Sequence, residues 1–468
     1  MSEPVRQPNV VIFFTDQQRW DASGLFGNPL ELMPNFDRLA REGTWLKHAF
    51  TCQPVCGPAR ACLQAGQYAT TNGMWKNSVK PLGDEGPRLA HLFHEAGYRT
   101  GYVGKWHLGG PDIGKRAVPR EFRCGYQDWL AIETPDLATE PYDCVYYDEH
   151  DQPVKLPGYR ADATVDAAIR YLGERAKDPT QPFFLMTSLL EPHHQNRTDS
   201  YPAPTGYRER YEGRWTPPDL AALPGWNEGD ARAGGSAQQQ LGGYWGMIKR
   251  IDEAFGRMMD ALRSLGLEEN TIVLFATDHG CHFKTRNSEY KRSCHDSSIR
   301  LPAMITGPGF TGGGALEELV SLVDIPPTLL EACGIEVPGE MEGRSILPLI
   351  RREGTDWPEE VFVQMSEAGI GRAVRTRRWK YGVMADEAAK DEQGGASRYV
   401  ETHLYDLEHD PYELDNLIGY ESHVKLAEAM RGRLLRRMAA IGEAEPEIVS
   451  AKPRRSGQRE LEERELYL

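Results

Sequence analysis

Four short apolar runs, each ending abruptly in polar residues, constrain this chain more than any other feature of its sequence. The run from Asn9 ends at Asp16-Gln17, and the run from Tyr98 ends at Lys105-Trp106-His107. A third, from Pro182, ends at Glu191-Pro192-His193-His194, and a fourth, from Thr271, ends at Asp278-His279-Gly280. Runs this short that are apolar at consecutive positions suit strands buried on both faces, as in a parallel sheet. Between them lie helical patterns at 33–42, 88–96, 161–177 and 238–265. Strand alternating with helix predicts an α/β fold, a mostly parallel central sheet flanked by helices. Ligands of open α/β sheets sit outside the carboxyl ends of the strands. Four ends carrying Asp, Lys, His and Asp are therefore expected to face one pocket.

With 468 residues, 40% of them hydrophobic, the chain has material for one large unit and a smaller one. After Leu349 the composition shifts. Shorter strand-like pieces at 360–364 and 372–383 and a helix-like stretch at 422–441 predict a smaller α+β unit over 356–468, following a main unit over 1–355. Long connections at 110–160 and 195–237, rich in Pro, Gly and charge, read as loops over the site. The net charge of −15 argues against nucleic acid, so an anionic ligand would need cations concentrated locally. No run approaches the ~20 apolar residues of a membrane span. No cationic, then apolar leader precedes Asn9, so a cytoplasmic location is expected. Eight cysteines in so long a chain make no disulfide framework and are expected as thiols.

The most informative stretch is Cys56-Gly57-Pro58-Ala59-Arg60, followed by Leu63-Gln64-Ala65-Gly66. Proline favours the first helical position, so a helix is expected to start near Pro58 with Cys56 just before it. The positive end of that helix favours a thiolate or an anionic substrate, and Arg60 adds a permanent cation.

Cys-x-Pro-x-Arg followed by Leu-x-x-Gly resembles the signature of type I sulfatases, in the alkaline phosphatase superfamily. Gly104-Lys105-Trp106-His107-Leu108-Gly109, Pro192-His193, Thr277-Asp278-His279-Gly280, Asp324-Ile325-Pro326-Pro327-Thr328 and Leu404-Tyr405-Asp406-Leu407 resemble further landmarks of that family. Together they span about 9 to 417. The resemblance implies an alkaline phosphatase-like fold and a sulfatase that hydrolyses a sulfate ester to alcohol and inorganic sulfate. It implies that Cys56 is oxidised to formylglycine by a formylglycine-generating enzyme, and that a hydroxyl of the hydrated aldehyde attacks sulfur. The second hydroxyl then expels sulfate, an exit that a serine ester lacks.

The same resemblance implies a divalent ion held by Asp16, Gln17, Asp278 and His279. Arg60 and Lys105 would orient the formylglycine, His107 would act as its base, and His193 and Lys291 would grip the sulfate and assist the leaving oxygen. Gln17 stands where the family usually has an acidic residue, and His279 where many members have Asn. Calcium is what the family most often implies, with manganese or magnesium as alternatives. His295 and Asp296 are weighed as further substrate contacts. Trp129, Tyr142 and Trp226 are weighed as stacking surfaces for a small organic or carbohydrate sulfate ester. Two other readings stay open: a phosphonate monoester or phosphodiester hydrolase of the same superfamily, and a non-catalytic anion-binding protein.

Overall fold

The computed structural model of the chain describes residues 7–83, 85–225, 237–385, 394–457 and 461–466. Trp226 lies outside them. The four apolar runs form strands Asn9–Thr15, Arg99–Lys105, Phe183–Ser188 and Thr271–Thr277. They lie side by side in one parallel array, in the order Thr271–Thr277, Asn9–Thr15, Phe183–Ser188, Arg99–Lys105, and Asp128–Ile132 extends it.

The reason these runs are apolar throughout is visible in their surroundings. Val10, Ile12 and Phe14 enter one hydrophobic core, with Phe184, Met186, Ile272 and Leu274. Val11 and Phe13 enter the core on the opposite face, with Phe183, Leu185, Val273 and Phe275. The helix Ala237–Ser264 covers that second face, burying Tyr244, Ile248, Ile251, Phe255, Met258 and Leu262 at three- and four-residue intervals.

Further strands complete an 11-stranded sheet among the described residues, with antiparallel pairs outside the central array and a parallel pair, Thr44–Phe50 with Ala315–Ser321, at one edge. The predicted loop at 110–160 supplies three of them, Asp128–Ile132, Cys144–Asp148 and Pro153–Leu156. These three are short, of 5, 5 and 4 residues, within a stretch rich in Pro, Gly and charge, so they did not stand out as the central strands did. The fold class is as predicted: a large, centrally parallel sheet flanked by helices, with a separate smaller sheet.

The smaller sheet has 5 strands, Val361–Met365, Gly371–Arg375, Trp379–Ala385, Arg398–Asp406 and Glu447–Val449, antiparallel except for the last pair. The predicted single piece at 372–383 is in fact two strands, because the chain reverses where Thr376 Oγ1 accepts from the Trp379 amide at 2.9 Å. The helix Val424–Ala440 packs on this sheet. Phe362, Tyr381 and Leu404 share a core with Cys52, Cys62 and Tyr68 from the other part of the chain. No helix among the described residues is long and apolar enough to cross a membrane.

Register brings the strand ends level. Thr15 pairs with Thr277, Phe14 with Ser188, and Ser188 with Gly104. Gly104 has φ +119, and a Cβ there would lie 1.9 Å from the Ser188 carbonyl oxygen. A side chain is excluded both by backbone conformation and by contact. Gly104→Ala is expected to cost about 3 kcal/mol or more of stability and to lower turnover by displacing the adjacent Lys105. Denaturant unfolding alongside kinetics checks both; native-like values would contradict the close approach.

Candidate active site

Each functional side chain is delivered by a strand end or by the helix laid across those ends. The helix spans Cys56–Ala65 and is buried along its whole length. It starts at Cys56 itself, two residues before the sequence reading placed it. Pro58 is tolerated within the first turn because its missing N–H would have had no partner inside the helix. The Gly57 amide donates to Asn77 Oδ1 at 2.9 Å, capping the end from outside.

Cys56 Sγ lies 2.8 Å from Lys291 Nζ, 3.2 Å from His279 Nε2 and 3.5 Å from Asp16 Oδ1. Burial and Asp16 oppose ionisation of this thiol, but Lys105, Lys291 and His279 outweigh them and bring it down to about 6. Asp16 Oδ2 accepts from Arg60 Nη2 and from Lys105 Nζ, both at 2.8 Å. Although burial works against its charge, Lys105 and Arg60 hold its carboxyl well below the usual range. Arg60 also reaches Asp278 Oδ2 at 3.2 Å and Ser188 Oγ at 2.6 Å. Asp278 is pushed up to about 6, by burial first and then by the charge on Asp16.

Two histidines have tautomers fixed by backbone carbonyls. His279 Nδ1 faces Gly280 O at 2.9 Å, so it carries a proton, and Nε2 is aimed at Cys56, Asp16 and Asp278. His193 Nδ1 faces His194 O at 2.7 Å, and its Nε2 accepts from Lys291 Nζ at 3.0 Å. Burial, then Lys291, pushes His193 well below its ordinary value, keeping the imidazole neutral. Lys291, which its charged sequence context gave the look of a surface residue, is 5% exposed. His107 is half-buried with φ +61, and its Nδ1 is enclosed without a partner among the described residues. Burial, then Lys105, lowers it to about 3.

Ligand atoms of Asp16, Cys56, Asp278 and His279 all lie within 4.8 Å of one another. Gln17, at φ +63, donates its backbone N–H to Asp278 Oδ1 at 3.0 Å. Its Nε2 donates to Tyr201 OH at 3.2 Å, leaving Oε1 buried with no hydrogen-bond partner among the described residues. Asp278 Oδ2 likewise makes no hydrogen bond. Gln17 Oε1 without a partner, Asp278 Oδ2 with only the Arg60 ion pair, the Asp16 carboxylate and an imidazole nitrogen make a donor set that fits a divalent cation. The ten residues singled out in the sequence thus meet in one place, though no direct contact joins His107 to Cys56.

Several neighbours were missed. Ser188 binds Arg60 and the Lys105 carbonyl, Glu133 accepts from the Gly109 amide at 3.1 Å, and Asp136 lies 3.9 Å from Lys105. Ser188 ends a strand already recognised. Glu133 and Asp136 follow the edge strand hidden in the supposed loop. His295 and Asp296 are drawn elsewhere: His295 Nε2 bonds Tyr405 OH at 3.0 Å, and Asp296 pairs with Lys380 at 2.6 Å and Arg375 at 3.1 Å. Trp129 packs in the core against Tyr102, whereas Tyr142 is exposed.

Comparison with known proteins agrees with this geometry. The family model described as Sulfatase matches residues 8–335, and one described as N-sulphoglucosamine sulphohydrolase, C-terminal, matches 288–440. An ulvan-active sulfatase from Formosa agariphila is 32% identical over 457 residues, covering 94% of this chain and 83% of the relative. A solved structure from work on the metabolism of multiple glycosaminoglycans by Bacteroides thetaiotaomicron aligns with TM-score 0.81 at 24% identity, covering 94% of this chain and 97% of that one. Another, BT4656 in complex with its substrate D-glucosamine-2-N,6-O-disulfate, aligns with TM-score 0.74 at 22% identity, covering 94% and 99%. The chain belongs to the sulfatase family of the alkaline phosphatase superfamily and is a sulfuric ester hydrolase.

Proposed function

We propose that this sulfatase acts on a carbohydrate sulfate monoester and that Cys56, converted to formylglycine by a formylglycine-generating enzyme, supplies the nucleophile. The observation that carries this reading is the position of Cys56 Sγ, held at a helix N-terminus by Lys291 and His279 beside the Asp16–Asp278 pair. The sulfated carbohydrate named for the solved neighbour, and the ulvan-active relative, support the substrate class.

The roles follow from the contacts. Arg60 and Lys105 fix Asp16 and neutralise charge near it. His107, neutral at ordinary pH, takes the proton from the nucleophilic side chain. Lys291 donates toward the sulfuryl oxygens and gives a proton to the departing alcohol, while His193 Nε2 holds its ammonium in place. Asp16, Gln17, Asp278 and His279 would hold the cation, for which we favour calcium, with manganese as the alternative because of the imidazole. When bound, such a cation offsets negative charge on the sulfuryl oxygens. A division into a catalytic part over 1–355 and a smaller part over 356–468, and a cytoplasmic location, complete the proposal. Eight buried, free thiols support a reducing compartment.

The test is a panel of sulfated monosaccharides and an aryl phosphonate, run on enzyme co-produced with the formylglycine-generating enzyme. Sulfate release from a sulfated sugar with little phosphonate turnover is expected; the reverse order would sink the substrate assignment. Chelation is expected to abolish activity and calcium to restore it. Because Asp278 in the cation-free protein holds a proton up to about 6, calcium must displace that proton in acid. Half-saturating calcium should therefore rise as pH falls below about 6, and a flat profile would refute that competition.

A further inference from the structure

Beside Lys105 lies a carboxylate oxygen that nothing in the described chain satisfies. Asp136 is 4% exposed, and its Oδ1 is buried without a hydrogen-bond partner among the described residues. Lys105 Nζ stands 3.9 Å away, beyond hydrogen-bond range. The other oxygen, Oδ2, accepts from Asn196 Nδ2. The backbone is pinned as well, since Gln195 Nε2 donates to the carbonyls of Asp136 and Thr139, both at 2.9 Å. A buried, ionisable acceptor kept empty in a rigid setting carries a free-energy cost unless a bound molecule supplies the donor.

Its place says which donor. Lys105 Nζ is 2.8 Å from Asp16 Oδ2, and its charge is felt by Cys56 on one side and by Asp136 on the other. Asp136 therefore stands across Lys105 from the group that meets sulfur. His107, whose Nδ1 is likewise enclosed without a partner among the described residues, senses the charge of Asp136. The neighbourhood thus offers an acceptor and an imidazole nitrogen beside Lys105, on its side away from the reacting centre. A substrate group matching them is a hydroxyl one carbon away from the sulfate ester.

We propose that Asp136 accepts a hydrogen bond from a substrate hydroxyl vicinal to the sulfate ester, and so selects vicinal hydroxy sulfates over esters lacking that hydroxyl. The inference rests on the sulfatase reading of this site. A hydrogen bond to a charged acceptor in a closed site is worth roughly 10-fold or more in discrimination.

Two aryl esters isolate the contact. 4-Nitrocatechol sulfate carries a hydroxyl next to the ester, and 4-nitrophenyl sulfate does not. The wild-type enzyme is expected to favour the first in kcat/KM by about 10-fold or more. Asp136→Ala should erase that preference while leaving 4-nitrophenyl sulfate nearly unaffected. Asp136→Asn, which keeps a neutral acceptor and the Asn196 contact, should give an intermediate preference, and it carries the test should the alanine variant not fold. Equal losses on both esters would show that Asp136 acts only through Lys105 and would overturn the proposal, as would an unchanged preference. Sulfate release from neither ester by the wild-type enzyme would instead sink the reading of the site on which the proposal depends.

Discussion

Replacing Cys56 by alanine is expected to lower sulfate release by at least about 10⁴-fold, the scale on which a covalent nucleophile acts. The fold should survive, because the side chain is small and its helix is held by burial along its whole length and by the Asn77 cap. Serine separates attack from exit. Its hydroxyl can displace the alcohol from sulfur and become a serine sulfate ester, but it has no second hydroxyl on the same carbon to expel the sulfate. Cys56→Ser is therefore expected to turn over once and retain a sulfo group on the peptide containing residue 56, visible by mass. Protein made without the converting enzyme should be inert for a different reason. Its thiol, brought down to about 6, is a thiolate at neutral pH, and an anion there repels an anionic ester. Multiple turnovers by the alanine variant, or by unconverted thiol protein, would remove Cys56 from the centre of the chemistry.

Much of this site was legible because the residues that do chemistry sit at or just past the ends of strands that are apolar throughout. Asp16 and Asp278 directly follow such a run, Lys105 ends one and His193 lies five residues past another; the alternate residues of these runs enter opposite cores, and that double burial is what makes them readable. The fold class followed from the same four runs. The structure adds what a one-dimensional pattern does not carry. Asp128–Ile132 is only 5 residues long and lies in a charged, Pro- and Gly-rich stretch, and so looked like loop; Glu133 and Asp136 disappeared with it. Lys291 stands in a run of charged residues and looked like surface, yet the pocket it closes encloses it beside Cys56 and His193. The tautomers of His193 and His279 depend on carbonyls of the next residue, a matter of backbone direction that residue identity does not fix.

Removing Asp16 is expected to have the largest effect on stability. Its Oδ2 binds two buried cations, Arg60 and Lys105, at 2.8 Å each. In Asp16→Ala, Arg60 keeps Asp278 at 3.2 Å and Ser188 at 2.6 Å, whereas Lys105 is left with Asp136 at 3.9 Å. Breaking a buried pair by deleting one partner strands the other charge and costs about 3–5 kcal/mol. Since the carboxyl of Asp16 is held below the usual range, its contribution is complete above that range and is lost as acid protonates it. The gap in unfolding free energy between wild type and Asp16→Ala should thus be widest near neutral pH and shrink below about pH 4. If the stranded ammonium is the cause, Asp16→Ala with Lys105→Met should recover part of the lost stability, because the uncompensated charge is gone, while activity stays absent. Denaturant midpoints across pH for the three proteins decide this: additive losses in the double variant would mean that the two residues stabilise the fold independently and that the strand-end charges do not act as one cluster.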